Sequence, residues 1–568
     1  MAGSLIPHST PSNAHPPLVL AWLALSWKIV GQRAVVTRYA MLLLAAFSLL
    51  GFFRLARAVS SSTVAVASTF LLAIYPVFFA QSSLAQVDLP AAGLTLWGLE
   101  AYVRKRSAIM AVWFSLAALA KETAVLVPLA LLAYEAGLAI YTKRLASSDS
   151  LGMGKGADVG TGEEHGSASR QAADRRPTSL SHPYGTRVGS QVFERLRPEL
   201  NTVRPLRGLG WRERNLILLP SLLVPVLALA GWYLYHYART GFVFGNPEFF
   251  RYNVQGTLHP LRIVLALFVR IWQVIGYLGL YVLTLACVVA MKYPARTDGR
   301  LGKGSGDARR TNDDDSLPRI TIPVQLAFLA ITIVYLLAMS VLGGAVLARY
   351  MLPIVPLVIL ICVSTIWRRL TAWPWVLGVV ALAFVFSIFV NPPYGFSPED
   401  NLAYRDYIGL HQRAEAFVQA RYPHARVITA WPANDELSRP YLGYVDHPMQ
   451  VVRIEDFTAE QLLAAADARS RFDVALVFST KYRPQWSLFD RWRRWQRWKS
   501  QFFGYHVDLA PEAAAALLGG KVVFSEHRQG QWVAVIALEQ IEEAGNPSRH
   551  FYRDGFAVDV APALGVHD

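Results

Sequence analysis

The strongest candidates for chemistry in this sequence are ionisable residues that lie beside long apolar runs. Asp88 opens one such run, Lys121 and Glu122 separate two others, and Arg38 and Arg349 each lie near the start of another. Charged groups at membrane depth are costly, and they commonly mark functional sites. Asp88 is suited to position a cation or an acceptor hydroxyl, whereas Lys121 and the two arginines are suited to bind a phosphate.

Each candidate also has a structural interpretation that the sequence leaves open. Asp88 is a good helix cap, and Lys121 with Glu122 would serve as an interfacial anchor held by a local ion pair. An arginine at the membrane edge can simply extend to the lipid headgroups. The segment 241–262 adds His259 among aromatic side chains, which suit a sugar or a lipid headgroup but also an ordinary interfacial belt.

The elements that must position these residues are membrane helices. The chain has 568 residues, of which 53% are hydrophobic and 17% charged, fewer charges than a soluble protein carries. The apolar residues form runs near the length that crosses a bilayer. These runs predict an all-α polytopic domain of about ten spans, at about 35–53, 63–82, 86–103, 107–119, 123–141, 214–238, 262–290, 322–343, 347–366 and 373–391. A shorter run at 17–30 suits the interface as well as a span.

Basic residues between the runs predict which loops face the cytoplasm. Two Gly-rich loops, 142–212 and 292–320, are predicted to be disordered and cytoplasmic. Smaller basic clusters at 54–57, 104–106 and 368–369 fit the same side if the ten spans alternate. The opposite side then carries the candidate residues of the membrane domain, His15 among them, and everything after residue 391.

The net charge of +15 does not point to nucleic acid, because much of the basic excess lies in these loops. Cys287 and Cys362 fall inside apolar runs, so no thiolate metal site is predicted. The acidic run 313–315 lies in a Gly-rich loop and is predicted to be solvated. The sequence therefore predicts neither a metal nor another cofactor, although a divalent metal remains compatible with the chemistry below.

Residues 392–568 have a mixed, soluble composition and predict a small α/β domain that follows the membrane domain, residues 1–391. A helix is expected at about 401–421, and strands are expected at 426–430, 473–478, 521–525 and 531–538. Trp492, Trp495 and Trp498 alternate with arginines. This pattern fits a helix on a membrane surface, and it equally fits a surface helix packed on the domain.

Several short motifs occur in an order that resembles the GT-C membrane glycosyltransferases, and within them the protein-mannosyltransferase and aminoarabinose-transferase-like group. The motifs are His15-Pro16-Pro17-Leu18, Gly31 with Arg38, Gln86-Val87-Asp88-Leu89-Pro90, Ala120-Lys121-Glu122, and Ala348-Arg349-Tyr350-Met351-Leu352-Pro353. The resemblance covers about residues 15–390. It implies an inverting transfer of a sugar from a polyprenyl-phosphate donor to a glycan, lipid or protein acceptor.

The resemblance also implies roles for individual residues. Such a transfer needs an acidic group for the acceptor and cations for the leaving phosphate. Asp88 is then the acidic site residue. The candidates for substrate or phosphate binding are His15, Arg38, Lys121, Glu122, His259 and Arg349, with Tyr350 as a hydrogen-bonding neighbour.

One feature departs from this group, whose members normally begin with a further transmembrane helix followed by an outer loop with the main catalytic Asp. No Asp or Glu precedes Asp88, so we expect the natural start to lie upstream. Two other functions stay open: a transporter or flippase for a lipid-linked sugar, and a non-catalytic membrane subunit. In each case we expect a multi-pass protein of the plasma (inner) membrane with an extracytoplasmic C-terminal domain.

Overall fold

The computed structural model describes residues 15–153, 211–243, 255–296, 317–484 and 492–538. The acidic run 313–315 and most of the two Gly-rich loops therefore lie outside the described residues. The membrane domain is built from helices, and the residues after it form a sheet covered by further helices. This is the fold class that the sequence predicts.

The helices of the membrane domain follow the predicted apolar runs. In chain order they are α1 (Leu18–Val30), α2 (Ala34–Val59), α3 (Ser62–Ile74), α4 (Pro76–Gln81), α5 (Asp88–Val103), α6 (Ser107–Ala120), α7 (Leu126–Met153), α8 (Trp211–Thr240), α9 (Pro260–Ile275), α10 (Leu280–Ala290), α11 (Ile322–Val341), α12 (Val355–Arg369) and α13 (Trp373–Phe389). All ten predicted spans are helical, although two of them are divided. The run 63–82 breaks before Pro76, and the run 262–290 breaks at Gly276–Gly279.

Five helical segments of the described chain are long and apolar enough to cross a membrane by themselves: Ala34–Val59, Glu122–Tyr141, Ile217–Thr240, Pro260–Ala290 and Ile322–Val341. Four of the other five predicted spans have shorter helices in the structure than the apolar runs suggest, whereas the run 107–119 agrees with α6, Ser107–Ala120. The predicted span 347–366, for example, begins with a single 3₁₀ turn, Ala348–Met351, and its helix starts only at Val355. The chain is a multi-pass membrane protein.

Small residues bring α2, α5 and α6 into close contact. A Cβ atom added at Gly93 would lie 1.8 Å from the Oγ of Ser48, and one added at Gly98 would lie 2.4 Å from the ring of Phe114. Without a hydrophobic driving force between helices in lipid, such close backbone approach is a main source of helix association. These contacts fix α5, the helix that begins with Asp88.

Basic residues that were predicted to face the same side contact one another in two separate places. The guanidinium groups of Arg54 and Arg104 lie 3.2 and 2.6 Å from the same carboxylate oxygen of Glu100. The backbone N–H of Arg296 donates to the carbonyl of Arg368 at 3.0 Å. Because Glu100 lies in the last turn of α5, Asp88 at its first residue is at the opposite end of this helix.

The C-terminal domain contains one five-stranded sheet. Its elements are α14 (Ala403–Arg421), β1 (Arg426–Thr429), α15 (Ala433–Ser438), β2 (Gln450–Arg453), α16 (Ala459–Asp467), β3 (Val474–Phe478), α17 (Arg493–Phe503), α18 (Pro511–Leu518), β4 (Gly520–Arg528) and β5 (Gln531–Leu538). The strand order is β2-β1-β3-β5-β4. β1 is parallel to β2 and β3, with Val427 opposite Val451 and Val474, whereas β5 is antiparallel to β3 and β4.

The order of the strands explains their composition. β3 is fully buried, and its central position agrees with its continuous apolar sequence. β4 alternates between half-buried and exposed residues because it is an edge strand. The short strand β2 was missed by the sequence prediction, since its four residues are exposed or only partly buried and carry no apolar run.

Two predicted boundaries are wrong. Residues 142–153 were assigned to a disordered loop, but they extend α7 by three helical turns. At the other end of the same loop, Trp211 and Arg212 already belong to α8. The tryptophan-rich segment is helical from Arg493, as predicted, but it continues beyond the repeat to Phe503.

Candidate active site

Asp88, Lys121 and Arg349 come together at one end of the membrane domain. The Nζ of Lys121 donates a hydrogen bond to Oδ1 of Asp88, and the Nε of Arg349 lies 3.3 Å from Oδ2 of the same carboxylate. The three side chains are 4%, 8% and 10% exposed. Because the anion is buried between two cations, the desolvated charges compensate one another. The three residues lie far apart in the sequence and meet only in the folded chain.

Interruptions of the helices place these side chains. Asp88 is the first residue of α5, where the helix dipole favours a negative charge. Lys121 follows the end of α6 with an extended backbone (φ −153°), and Arg349 lies in the 3₁₀ turn before α12. Each residue therefore lies at a helix end, where the chain can turn a polar side chain inward without breaking a ladder of hydrogen bonds.

The structure corrects two of the structural alternatives. Asp88 does not cap its helix: the N-cap is Val87, no side-chain cap is formed, and the Asp88 carboxylate binds the cations instead. Lys121 and Glu122 do not form a local ion pair, since they point to different partners. The carboxylate of Glu122 lies 3.0 Å from Nδ1 of His15, which brings His15 to the edge of the same cluster.

The ring of Tyr350 forms a platform for the cations. The Nζ of Lys121 lies 3.8 Å from the ring centroid, and the guanidinium carbons of Arg270 and Arg349 lie 5.4 and 5.7 Å from it. Cations at these distances are attracted to the ring face, with greater strength when water is excluded. Tyr350 was predicted as a hydrogen-bonding neighbour, but these contacts use its ring.

Two acidic residues from the segment after α13 close the cluster. The guanidinium of Arg349 binds the carboxylate of Glu399, and the hydroxyl of Tyr277 donates to Oδ2 of Asp400 at 2.6 Å. Burial raises the pKa of Asp400 to about 6. The sequence analysis did not single out these two residues, although an acidic pair soon after the last apolar run was a usable signal.

Two buried arginines hold the segment that precedes Arg349. Arg262 donates to the carbonyls of Gly343 and Gly344, at 2.5 and 3.2 Å, and Arg270 donates to the carbonyl of Leu347 at 2.7 Å. Both side chains are almost completely buried. The two arginines are eight residues apart, so they lie on one face of α9. The sequence analysis did not single them out, even though charged residues inside an apolar run are candidates by the same criterion that selected Asp88.

The structure does not bring Arg38 and His259 into this cluster. Arg38 is exposed on α2 and makes no ion pair within the described part of the chain. His259 precedes α9, and its ring packs on Phe502 of α17 at 4.9 Å between centroids. Six of the eight predicted site residues thus lie together: His15, Asp88, Lys121, Glu122, Arg349 and Tyr350.

The arrangement has the components of an anion-binding site for a charged lipid. Formally, the negative charges of Asp88 and Glu399 balance the positive charges of Lys121 and Arg349. An incoming phosphate would therefore share these cations with the two carboxylates. A divalent metal at Asp88 would have to displace both cations, because each oxygen of this carboxylate already faces one of them.

Part of the chain matches a known protein family. Residues 14–150, which include Asp88, Lys121 and Glu122, match the family described as dolichyl-phosphate-mannose-protein mannosyltransferase. The matched segment carries most of the motifs, and the match agrees with the resemblance to the GT-C membrane glycosyltransferases that their order indicates.

Solved structures and curated sequences complete the comparison. The chain is similar to ArnT from Cupriavidus metallidurans, solved bound to undecaprenyl phosphate and in the apo state. The bound structure aligns at 12% identity over 92% of this chain and 88% of that chain, with a TM-score of 0.42. The apo structure aligns at 12% identity over 94% and 89%, with the same TM-score. No curated protein sequence matches the chain.

Proposed function

We propose that the protein transfers a glycosyl group from a polyprenyl-phosphate sugar to an acceptor on the extracytoplasmic side of the membrane. One observation carries the proposal: Asp88, Lys121 and Arg349 form a buried cluster at the end of the helices where the C-terminal domain is attached. A polar cluster at the end of a membrane domain can reach a lipid headgroup while the prenyl chain stays in the bilayer.

The proposed reaction is a single displacement. A hydroxyl or amine of the acceptor attacks the anomeric carbon, the bond from this carbon to the phosphate oxygen breaks, and the electron pair leaves with the phosphate. Lys121 and Arg349 stabilise the negative charge that develops on this oxygen. Asp88 holds the acceptor or takes up its proton. Inversion at the anomeric carbon follows from attack on the face opposite the phosphate.

A transfer assay with the full chain tests the proposal. The protein is reconstituted in liposomes and supplied with radiolabelled polyprenyl-phosphate sugars and a panel of glycan, lipid and protein acceptors. We expect transfer by the native chain and a fall of about a hundredfold or more for Arg349→Gln, the size of effect that follows loss of one preorganised electrostatic contact. The matched control is Arg57→Gln, because Arg57 is an exposed arginine in the last turn of α2.

The variant Asp88→Asn separates the two roles of Asp88. An asparagine can still accept a hydrogen bond from the acceptor but cannot take up its proton. Complete loss of transfer by this variant indicates a base, and a partial loss indicates a group that holds the acceptor. Movement of the labelled lipid across the bilayer without transfer would overturn the proposal in favour of a flippase, and neither activity would favour a non-catalytic subunit.

A further inference from the structure

A second polar cluster lies inside the C-terminal domain. Nδ1 of His411 lies 2.7 Å from Oε2 of Glu436 and 3.9 Å from Oε1 of Glu415. The three side chains are 1%, 9% and 0% exposed, and one potential ligand atom from each lies within 4.8 Å of the others. None of the three was predicted as a site residue.

The fold explains how these residues meet. His411 and Glu415 are four residues apart on α14 and therefore lie on the same face of this helix. Glu436 belongs to α15, which follows the carboxyl end of β1. The chain runs from β1 to β2 on one side of β1 and then crosses back to β3 on its other side, so the order in which strands are added reverses at β1. Ligands of open α/β sheets bind at the carboxyl ends of the strands at such a point.

Several atoms of the cluster have no partner. Both carboxylate oxygens of Glu415 and the Nε2 of His411 are buried without a hydrogen bond in the described structure. A buried carboxylate without a donor is strongly unfavourable. The His411 ring, by contrast, is held firmly, with Tyr407 at 4.2 Å and Phe478 at 4.4 Å between centroids. The nitrogen that faces the carboxylates is Nδ1, which contacts Glu436, so the unpaired groups directed at this point are the two oxygens of Glu415. A fixed imidazole nitrogen beside unpaired carboxylate oxygens is a feature of a ligand site.

We propose that His411, Glu415 and Glu436 bind one divalent transition-metal cation of the zinc class. Imidazole nitrogen and carboxylate oxygen are the ligand types that such cations prefer. The charge of the cation would balance the two carboxylates, of which Glu415 is buried without a hydrogen bond. The site would link α14 to α15 and so stabilise the C-terminal domain, independently of glycosyl transfer.

The distances are compatible with this cation. Ligand bonds of 2.0–2.2 Å in a tetrahedral site place neighbouring ligand atoms about 3.4 Å apart. The separation of 2.7 Å between His411 and Glu436 must lengthen, and that of 3.9 Å between His411 and Glu415 must shorten. Both changes are well below 1 Å and need only small rotations of the glutamate side chains. Three protein ligands leave a fourth position for water.

The alternative occupant is a proton shared by the two carboxylates. Burial and the neighbouring Glu436 raise the pKa of Glu415, so a protonated Glu415 could donate to Glu436. In that case the two side chains form a hydrogen-bonded pair with a single negative charge, and a metal ion would have to displace the shared proton to bind. The two possibilities differ in metal content and in the response of stability to metal.

The test uses the full chain in detergent, purified with a tag that lacks histidine. The protein is stripped with a chelator, incubated with Zn²⁺, desalted and analysed for metal by mass spectrometry. We expect one zinc per chain and a thermal unfolding temperature several degrees higher than that of the stripped protein. Glu415→Gln and His411→Gln should lose both effects, whereas the exposed controls Glu460→Gln and His424→Gln should keep them.

Cobalt provides a second measurement that needs no variant. Co²⁺ in a four-coordinate site of nitrogen and oxygen ligands gives strong visible absorption bands, which Zn²⁺ should displace. This measurement decides the question if the two variants fail to fold. Less than one tenth of an equivalent of zinc, no shift in unfolding temperature and no cobalt bands would overturn the proposal and leave the shared proton as the occupant. Equal metal binding by the variants and the native chain would also overturn it.

Discussion

The ion pair between Arg349 and Glu399 should couple the membrane domain to the segment that leads into the C-terminal domain. Arg349 contacts Asp88 on one side and Glu399 on the other. Removing one partner of a buried ion pair destabilises a protein by about 3–5 kcal/mol, because the other charge is left uncompensated. Arg349→Gln removes the shared cation of both carboxylates and is therefore the most informative single change.

The structure limits the expected size of the effect. Asp88 keeps Lys121 as a partner, and the Glu399 side chain is 21% exposed, so water can replace part of what it loses. We therefore expect the lower end of the range, about 3 kcal/mol, for Arg349→Gln. Glu399→Gln loses one hydrogen bond between charged groups and should cost about 1.5 kcal/mol. Because both changes remove the same contact, their sum should exceed the effect of the double variant by about 1 kcal/mol.

The assay is a double-mutant cycle in mixed micelles. Unfolding is followed for the native chain, the two single variants and the double variant as the fraction of denaturing detergent rises. Arg57→Gln serves as the control, since Arg57 is exposed and lies in the last turn of α2. Strict additivity of the two single changes would refute the reasoning, because it would mean that Arg349 and Glu399 do not interact in the folded protein.

Three further predictions concern other parts of the molecule. Burial raises the pKa of Asp400 from 3.8 to about 6, so its favourable contribution is fully present below about pH 4 and is lost as the pH rises to 6. Asp400→Asn, which still accepts from Tyr277, should leave stability near pH 4 almost unchanged and raise it at pH 8 by up to about 3 kcal/mol. Gly98→Ala places a Cβ 2.4 Å from the Phe114 ring and should cost about 1–3 kcal/mol by overpacking, measured as a lower unfolding temperature. If α17 lies on the membrane, brominated lipids in nanodiscs should quench the fluorescence of Trp492, which is 50% exposed. Trp492→Phe should then reduce the total fluorescence quenching. Equal quenching of the native chain and the variant would favour the packed surface helix.

Local patterns predicted the elements of this fold well. The apolar runs located every helix of the membrane domain that they were used to predict, and alternating or continuous apolar residues located β1, β3, β4 and β5. The boundaries that were wrong depend on the composition of neighbouring segments. Residues 142–153 have a loop-like composition but continue a helix that is already nucleated, so extension needs only one hydrogen bond for each added residue.

The charged cluster was predicted in part because its members lie in short motifs at helix ends. Asp88, Lys121 and Arg349 were each visible as an ionisable residue beside an apolar run. Their mutual contacts were not visible, since 33 residues separate Asp88 from Lys121 and a far longer stretch separates both from Arg349. The sequence analysis missed the partners Glu399 and Asp400 for a related reason. They follow the last span, and they are buried only where that segment packs on α4 and on the break between α9 and α10.

The second cluster shows why a sequence pattern alone leaves such a site undetected. His411 and Glu415 have helical ligand spacing, but this spacing is common on helices that bind nothing. The third group, Glu436, is brought to them by the β1–α15 connection, so the site exists only once β1 has paired in the sheet. In both clusters of this protein, residue type and local spacing select candidates, whereas burial of the charged side chains separates a site from a solvated charge. The unpaired oxygens of Glu415 have no counterpart at Asp88, whose two oxygens both face cations. This difference is why a metal is proposed for the C-terminal domain and a phosphate for the membrane domain.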